Sequence, residues 1–120
     1  MKAKASSKAG FTLVEIMIVV AIIGLLAAIA IPTFVRARIT SQKNVCIKNL
    51  HEIDGAAQTW ALENNKAPGD TYTLASLTPY LGRGSTGAIP ICPAKGIYSE
   101  GATVGAPPFC SLAVEGHVIQ

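Results

Sequence analysis

Glu15 stands at the head of an uncharged run of twenty residues, Ile16 to Val35. An ionised carboxylate next to hydrocarbon is costly unless hydrogen-bond donors or a cation partner it. One source of donors is local. Thr12-Leu13-Val14-Glu15 has the Thr-x-x-Glu spacing of a capping box. There the carboxylate accepts from a free backbone N–H and complements the helix dipole. Elsewhere chemistry is thin. Cys46, Cys92 and Cys110 are the three cysteines, and His51 and His117 the two histidines. Two histidines so far apart predict no metal site and read as surface or rim residues. Tyr72, Tyr80, Tyr98 and Phe109 read as packing. The chain has no Ser/His/Asp set, no paired catalytic carboxylates and no phosphate-cradling glycine loop ahead of a helix. No enzyme, cofactor or metal is therefore expected, and no dense run of oxygen ligands surrounds Asp70 and Glu100 for calcium.

The elements that position these residues follow from hydropathy. Twenty apolar residues make about 30 Å of helix, the thickness of a bilayer's hydrocarbon core. Residues 11 to about 64 read as one helix, apolar all round over 11–35 and amphipathic over 36–65. The amphipathic stripe is Ile39, Cys46, Leu50, Ile53, Ala57 and Trp60. Such a helix is much longer than a small head, so half of it is expected to protrude. Pro32 removes a backbone donor and crowds the turn before it, so a kink or loosened stretch is expected there and at Gly24. Gly24, Ala27, Ala28 and Ala30 allow close helix approach. The helix should stop at Asn64-Asn65, ahead of Pro68-Gly69.

Residues 66–120 change texture, holding all but one of the prolines. Thr73 to Leu81 predicts a short helix. Ile89 to Ile91, Gly96 to Ser99, Phe109 to Val114 and His117 to Ile119 predict short strands between Gly/Pro turns. About 85 residues outside the apolar run form a small, marginal core.

The net charge of +3 comes from Lys2, Lys4 and Lys8. Beyond Gly10 the seven basic and seven acidic residues cancel, so no nucleic-acid partner is predicted. The basic tip reads as a cytoplasmic orientation signal, which Arg36 and Arg38 weaken.

Lys8-Ala9-Gly10, then Phe11-Thr12-Leu13-Val14-Glu15 and the apolar run, resemble the class III signal of type IV pilins and type II secretion pseudopilins. The resemblance implies an α+β, pilin-like fold, a long N-terminal helix packed on a small C-terminal antiparallel sheet. Residues 1–10 would be a leader removed by a prepilin peptidase after Gly10, with the new amine on Phe11 methylated. Residues 11–35 would be the membrane and filament-core helix, 36–65 its amphipathic continuation, and 66–120 the globular head. The cleaved amine of Phe11 is a cation at neutral pH. In the family the acidic residue, here Glu15, neutralises that amine on a neighbouring subunit and sets the helix register.

Implied partners are other copies in a helical filament, other minor pilins or pseudopilins, an assembly ATPase and its inner-membrane platform protein. The precursor would cross the cytoplasmic membrane once, with its head outside the cytoplasm. The filament would be a secretion pseudopilus or a surface pilus, and the short head leans to the former. The alternatives are a non-polymerising membrane-anchored binding module, or a secretory signal with Ala28-Ile29-Ala30 at its cleavage site. Export implies an oxidising compartment, so one disulfide and a leftover thiol are expected. Cys92 with Cys110 is favoured, as a ring of about 19 residues stabilises by about 3 kcal/mol. Cys46 remains an alternative partner for either.

Overall fold

The computed structural model describes residues 10–82 and 87–119. The expected leader, apart from Gly10, lies outside them. The chain divides into two compact units, Met1–Arg36 and Ala37–Gln120. Helix α1 (Leu13–Glu63, 51 residues) contributes to both.

In the first unit, α1 is an apolar helix whose side chains are almost all exposed, Leu13, Ile23, Leu25, Ile29 and Phe34 among them. It is long and apolar enough to cross a membrane by length and composition. The helical assignment runs through Gly24 and Pro32. One residue past the proline, the Thr33 hydroxyl donates to the Ile29 carbonyl at 3.0 Å. Such back-bonding often bends helices.

In the second unit one face of α1 carries the core. Cys46, Asn49, Leu50, Ile53, Ala56, Ala57 and Ala61 are buried. The expected stripe is present over Cys46 to Trp60, with two changes. Ile39 is 59% exposed, and Trp60 is only half-buried, tilted against Tyr72 with ring centroids 6.4 Å apart. The helix ends where two asparagines predict a stop. Asn65 takes a left-handed φ of 51°. Lys66 N donates to Ala61 O at 2.8 Å and Asn65 N to Leu62 O at 3.5 Å. These are the two bonds of a Schellman cap, with asparagine in the place glycine usually takes.

The chain then covers the helix. Asp70 closes a turn on Ala67 through both its carboxylate and its backbone N–H. Thr73 caps a 3-10 helix, Leu74–Tyr80, reciprocally with Ser76. Leu77 and Leu81 from this stretch enter the core beside Tyr72 and Val104. Strands β1 (Tyr98–Ser99) and β2 (Phe109–Cys110) pair antiparallel, Tyr98 opposite Cys110.

The α+β plan therefore stands, with a smaller sheet than the four expected strands. Ile89 to Ile91 is not a strand, since Pro90 has no N–H to offer a ladder. Past Cys110 the chain turns into a 3-10 helix, Ala113–Glu115, ended by Gly116 at φ 89°. That turn takes the place of the strands expected to Val114 and from His117.

Candidate functional site

Among the described residues, two places combine reactive side chains, one in each unit. In the first, Thr12 N donates to Glu15 Oε2 and Glu15 N to Thr12 Oγ1, both at 3.2 Å. The sequence spacing is thus realised as a capping box at the start of α1, and it satisfies two of the backbone donors a helix end leaves free. Gly10, Phe11 and Glu15 are all exposed, Phe11 at 84%. The expected cleavage point is accessible, and Glu15 stands beside it.

In the second unit the three cysteines meet. Cys46 comes from α1, Cys92 from the turn that ends at Gly96, Cys110 from β2, and His117 follows the last 3-10 turn. Their sulfur and ring-nitrogen atoms all lie within 4.8 Å of one another, and all four residues are buried. Cys92 Sγ is 3.8 Å from His117 Nδ1. All three cysteines stand as free thiols, so the expected Cys92–Cys110 pairing gains no support from this arrangement. His117 is 3% exposed and belongs to this cluster, which corrects its reading as a surface or rim residue. His51 is exposed, as expected.

The surroundings differentiate the sulfurs. Burial pushes the Cys46 thiol up to about 12, although the Tyr98 hydroxyl hydrogen-bonds it and works the other way. Tyr98 in turn accepts from buried Asn49 at 3.1 Å. Burial also acts to raise Cys92. Backbone N–H groups of Ala94 and Gly96, with hydrogen bonds from Cys46 and Cys110, outweigh it and bring Cys92 below the ordinary thiol range. Cys92 therefore ionises more readily than Cys46. The turn that aims these N–H groups closes through Lys95 N to Cys92 O at 3.0 Å, with Lys95 at a left-handed φ of 66°. Gly96 has no room for a side chain. A Cβ there would press on Cys110 Sγ and lie 3.2 Å from Cys92 Sγ and from Leu112.

Comparison with known proteins bears on the first place. Residues 5–31 match the family described as the prokaryotic N-terminal methylation motif. The chain carries a prepilin-type N-terminus. This prepilin-type segment extends into similarity with both branches of pilin-like proteins. The chain is 46% identical over 57 residues to the type IV major pilin protein PilA of Myxococcus xanthus, covering 48% of this chain and 26% of the relative. It is 45% identical over 62 residues to the type IV major fimbrial protein FimA of Dichelobacter nodosus, covering 52% and 39%. It is 32% identical over 68 residues to the type II secretion system core protein G of Escherichia coli, covering 57% and 47%. The chain thus spans between about a quarter and a half of the length of these relatives. No solved structure matches it.

The sequence reading missed the convergence of Cys46, Cys92, Cys110 and His117. A weak signal was present: an odd cysteine count, and a turn-forming Cys92-Pro93-Ala94-Lys95-Gly96 run.

Proposed function

We propose that this chain is a pilin-like structural subunit, cleaved after Gly10, methylated on the Phe11 amine and polymerised through the apolar part of α1. The observation that carries this reading is a prepilin-type N-terminus on a helix whose apolar side chains are unburied over its first twenty residues. Such a surface needs lipid or copies of itself around it. In the membrane the first solvent serves, and in a filament core the second. Before assembly Glu15 caps its own helix. In the filament its charge pairs with the Phe11 amine of an adjacent subunit and sets the axial register. Gly24 and Pro32 give the helix a point of local loosening for packing. The prepilin peptidase, an assembly ATPase, its platform protein and other pilin-like subunits are the partners this role requires.

Two substitutions separate the charge from the cap. Glu15→Gln keeps a capping-box residue, since glutamine serves at that position, but removes the charge. Glu15→Ala removes both. With either variant, the mature N-terminus read by mass spectrometry should still begin at methylated Phe11. Filament recovered by shearing cells should be lost with both. Normal filament yield from Glu15→Gln would reduce Glu15 to a cap. If unsubstituted chain never leaves the membrane fraction on shearing, the subunit is instead a single-pass anchored module.

A further inference from the structure

We propose that Cys46, Cys92, Cys110 and His117 form a structural zinc site that fastens the head onto α1. The donor set is the first argument. Three thiolates and one imidazole are a common tetrahedral set for structural zinc, and soft sulfur ligands disfavour magnesium, calcium and manganese. Distance is the second. Zn–S bonds of about 2.3 Å and a Zn–N bond of about 2.0 Å imply tetrahedral edges of about 3.8 Å between sulfurs and about 3.5 Å between sulfur and nitrogen. The Cys92–His117 separation of 3.8 Å is within about 0.3 Å of the sulfur–nitrogen edge, and the other pairs lie within 4.8 Å. A disulfide needs sulfurs about 2.0 Å apart and uses only two of them. It would leave a third buried thiol and a buried imidazole beside it without a common task.

The surroundings are the third argument. Metal-bound groups are generally held by outer hydrogen bonds. Here Ala94 and Gly96 N–H point at Cys92, and the Asn49–Tyr98 chain ends on Cys46. Gly96 leaves the space the sulfurs occupy. Binding releases the three thiol protons to solvent and uses the lone pair of neutral His117 Nδ1. The resulting centre carries one net negative charge. The Lys43 side chain lies against Gly116, next to His117, and brings a cation close to it. All four positions are protein side chains and buried, so the site is closed and its role is structural.

Need is the fourth argument. The paired strands comprise two residues each, and small domains with so little regular structure generally rely on a covalent or metal staple. A zinc ion would tie α1 to three separate points of the covering chain.

The test uses the full chain purified in detergent with a thiol reductant. Elemental analysis after incubation with zinc chloride and dialysis should give one zinc per chain. All three thiols should resist a thiol reagent until a chelator is added. Cobalt(II) in place of zinc should give the absorption of a tetrahedral thiolate site, a readout that needs no variant. Cys46→Ser and His117→Ala should each weaken zinc binding at least tenfold, while His51→Ala should leave it unchanged. Failure of the unsubstituted chain to retain zinc would overturn the proposal. So would a non-reducing peptide map of chain taken from cells without reductant, showing Cys92 joined to Cys110 with the loss of two hydrogens.

Discussion

Leu50 and Leu62 lie on the same helix and allow one chemical change to be made in two environments. Leu50 is fully buried in the core, and Leu62 is 81% exposed. Leucine-to-alanine substitution at a core site costs about 2–5 kcal/mol, from lost apolar transfer plus the cavity left behind. At an exposed site the same change stays within about 0.5 kcal/mol. The unit from Ala37 to Gln120 would have a total stability of roughly 4–13 kcal/mol on a per-residue scale. Leu50→Ala thus removes a large part of it. For a domain of this size each kcal/mol moves the midpoint by about 4–8 °C. The expected fall is about 8 °C or more for Leu50→Ala and no more than about 4 °C for Leu62→Ala. Fluorescence of Trp60, the only tryptophan, reports on the head without interference from the apolar helix. Equal midpoints for the two variants would refute the assignment of this helix face as the core.

Gly96→Ala puts a methyl group against Cys110 Sγ and Cys92 Sγ. Overpacking of this kind costs about 1–3 kcal/mol, seen as a lower urea midpoint, and zinc retained per chain should fall with it. Tyr72→Phe removes the hydroxyl that accepts from buried Gly101 N at 3.0 Å. The orphaned N–H should cost about 1–3 kcal/mol in the same titration, with no change in bound zinc.

Much of the fold was legible because its signals are local. Thr12 and Glu15 are three residues apart, and their capping box follows from spacing alone. Asn64-Asn65 ahead of Pro68 marks a helix end because asparagine tolerates the left-handed conformation a Schellman cap needs. The core stripe follows from a period of 3.6, and it fails at Ile39, which the covering chain leaves exposed. The strands were over-read because apolar β-formers near Gly and Pro describe a covering loop as well as a sheet. Whether they pair depends on partners distant in sequence. The thiol–imidazole cluster was illegible for the same reason. Its members are spread over positions 46, 92, 110 and 117, without the short paired spacing by which zinc sites announce themselves. Only the chain's path over α1 brings them together. His117 in particular adjoins the apolar pair Val118-Ile119, which marks the segment but says nothing of where a polar side chain beside it goes.

The capping box at Thr12 and Glu15 engages Oε2 of the carboxylate. Its other oxygen, Oε1, accepts no hydrogen bond among the described residues, so the group faces two ways. Freezing a long side chain at an interface ordinarily costs about 0.5–1.5 kcal/mol. Here the helix has spent that entropy before any other copy arrives. On the proposed assembly, an ammonium approaching from next door would meet an acceptor already aimed, and the local bond would not need to break for the foreign one to form.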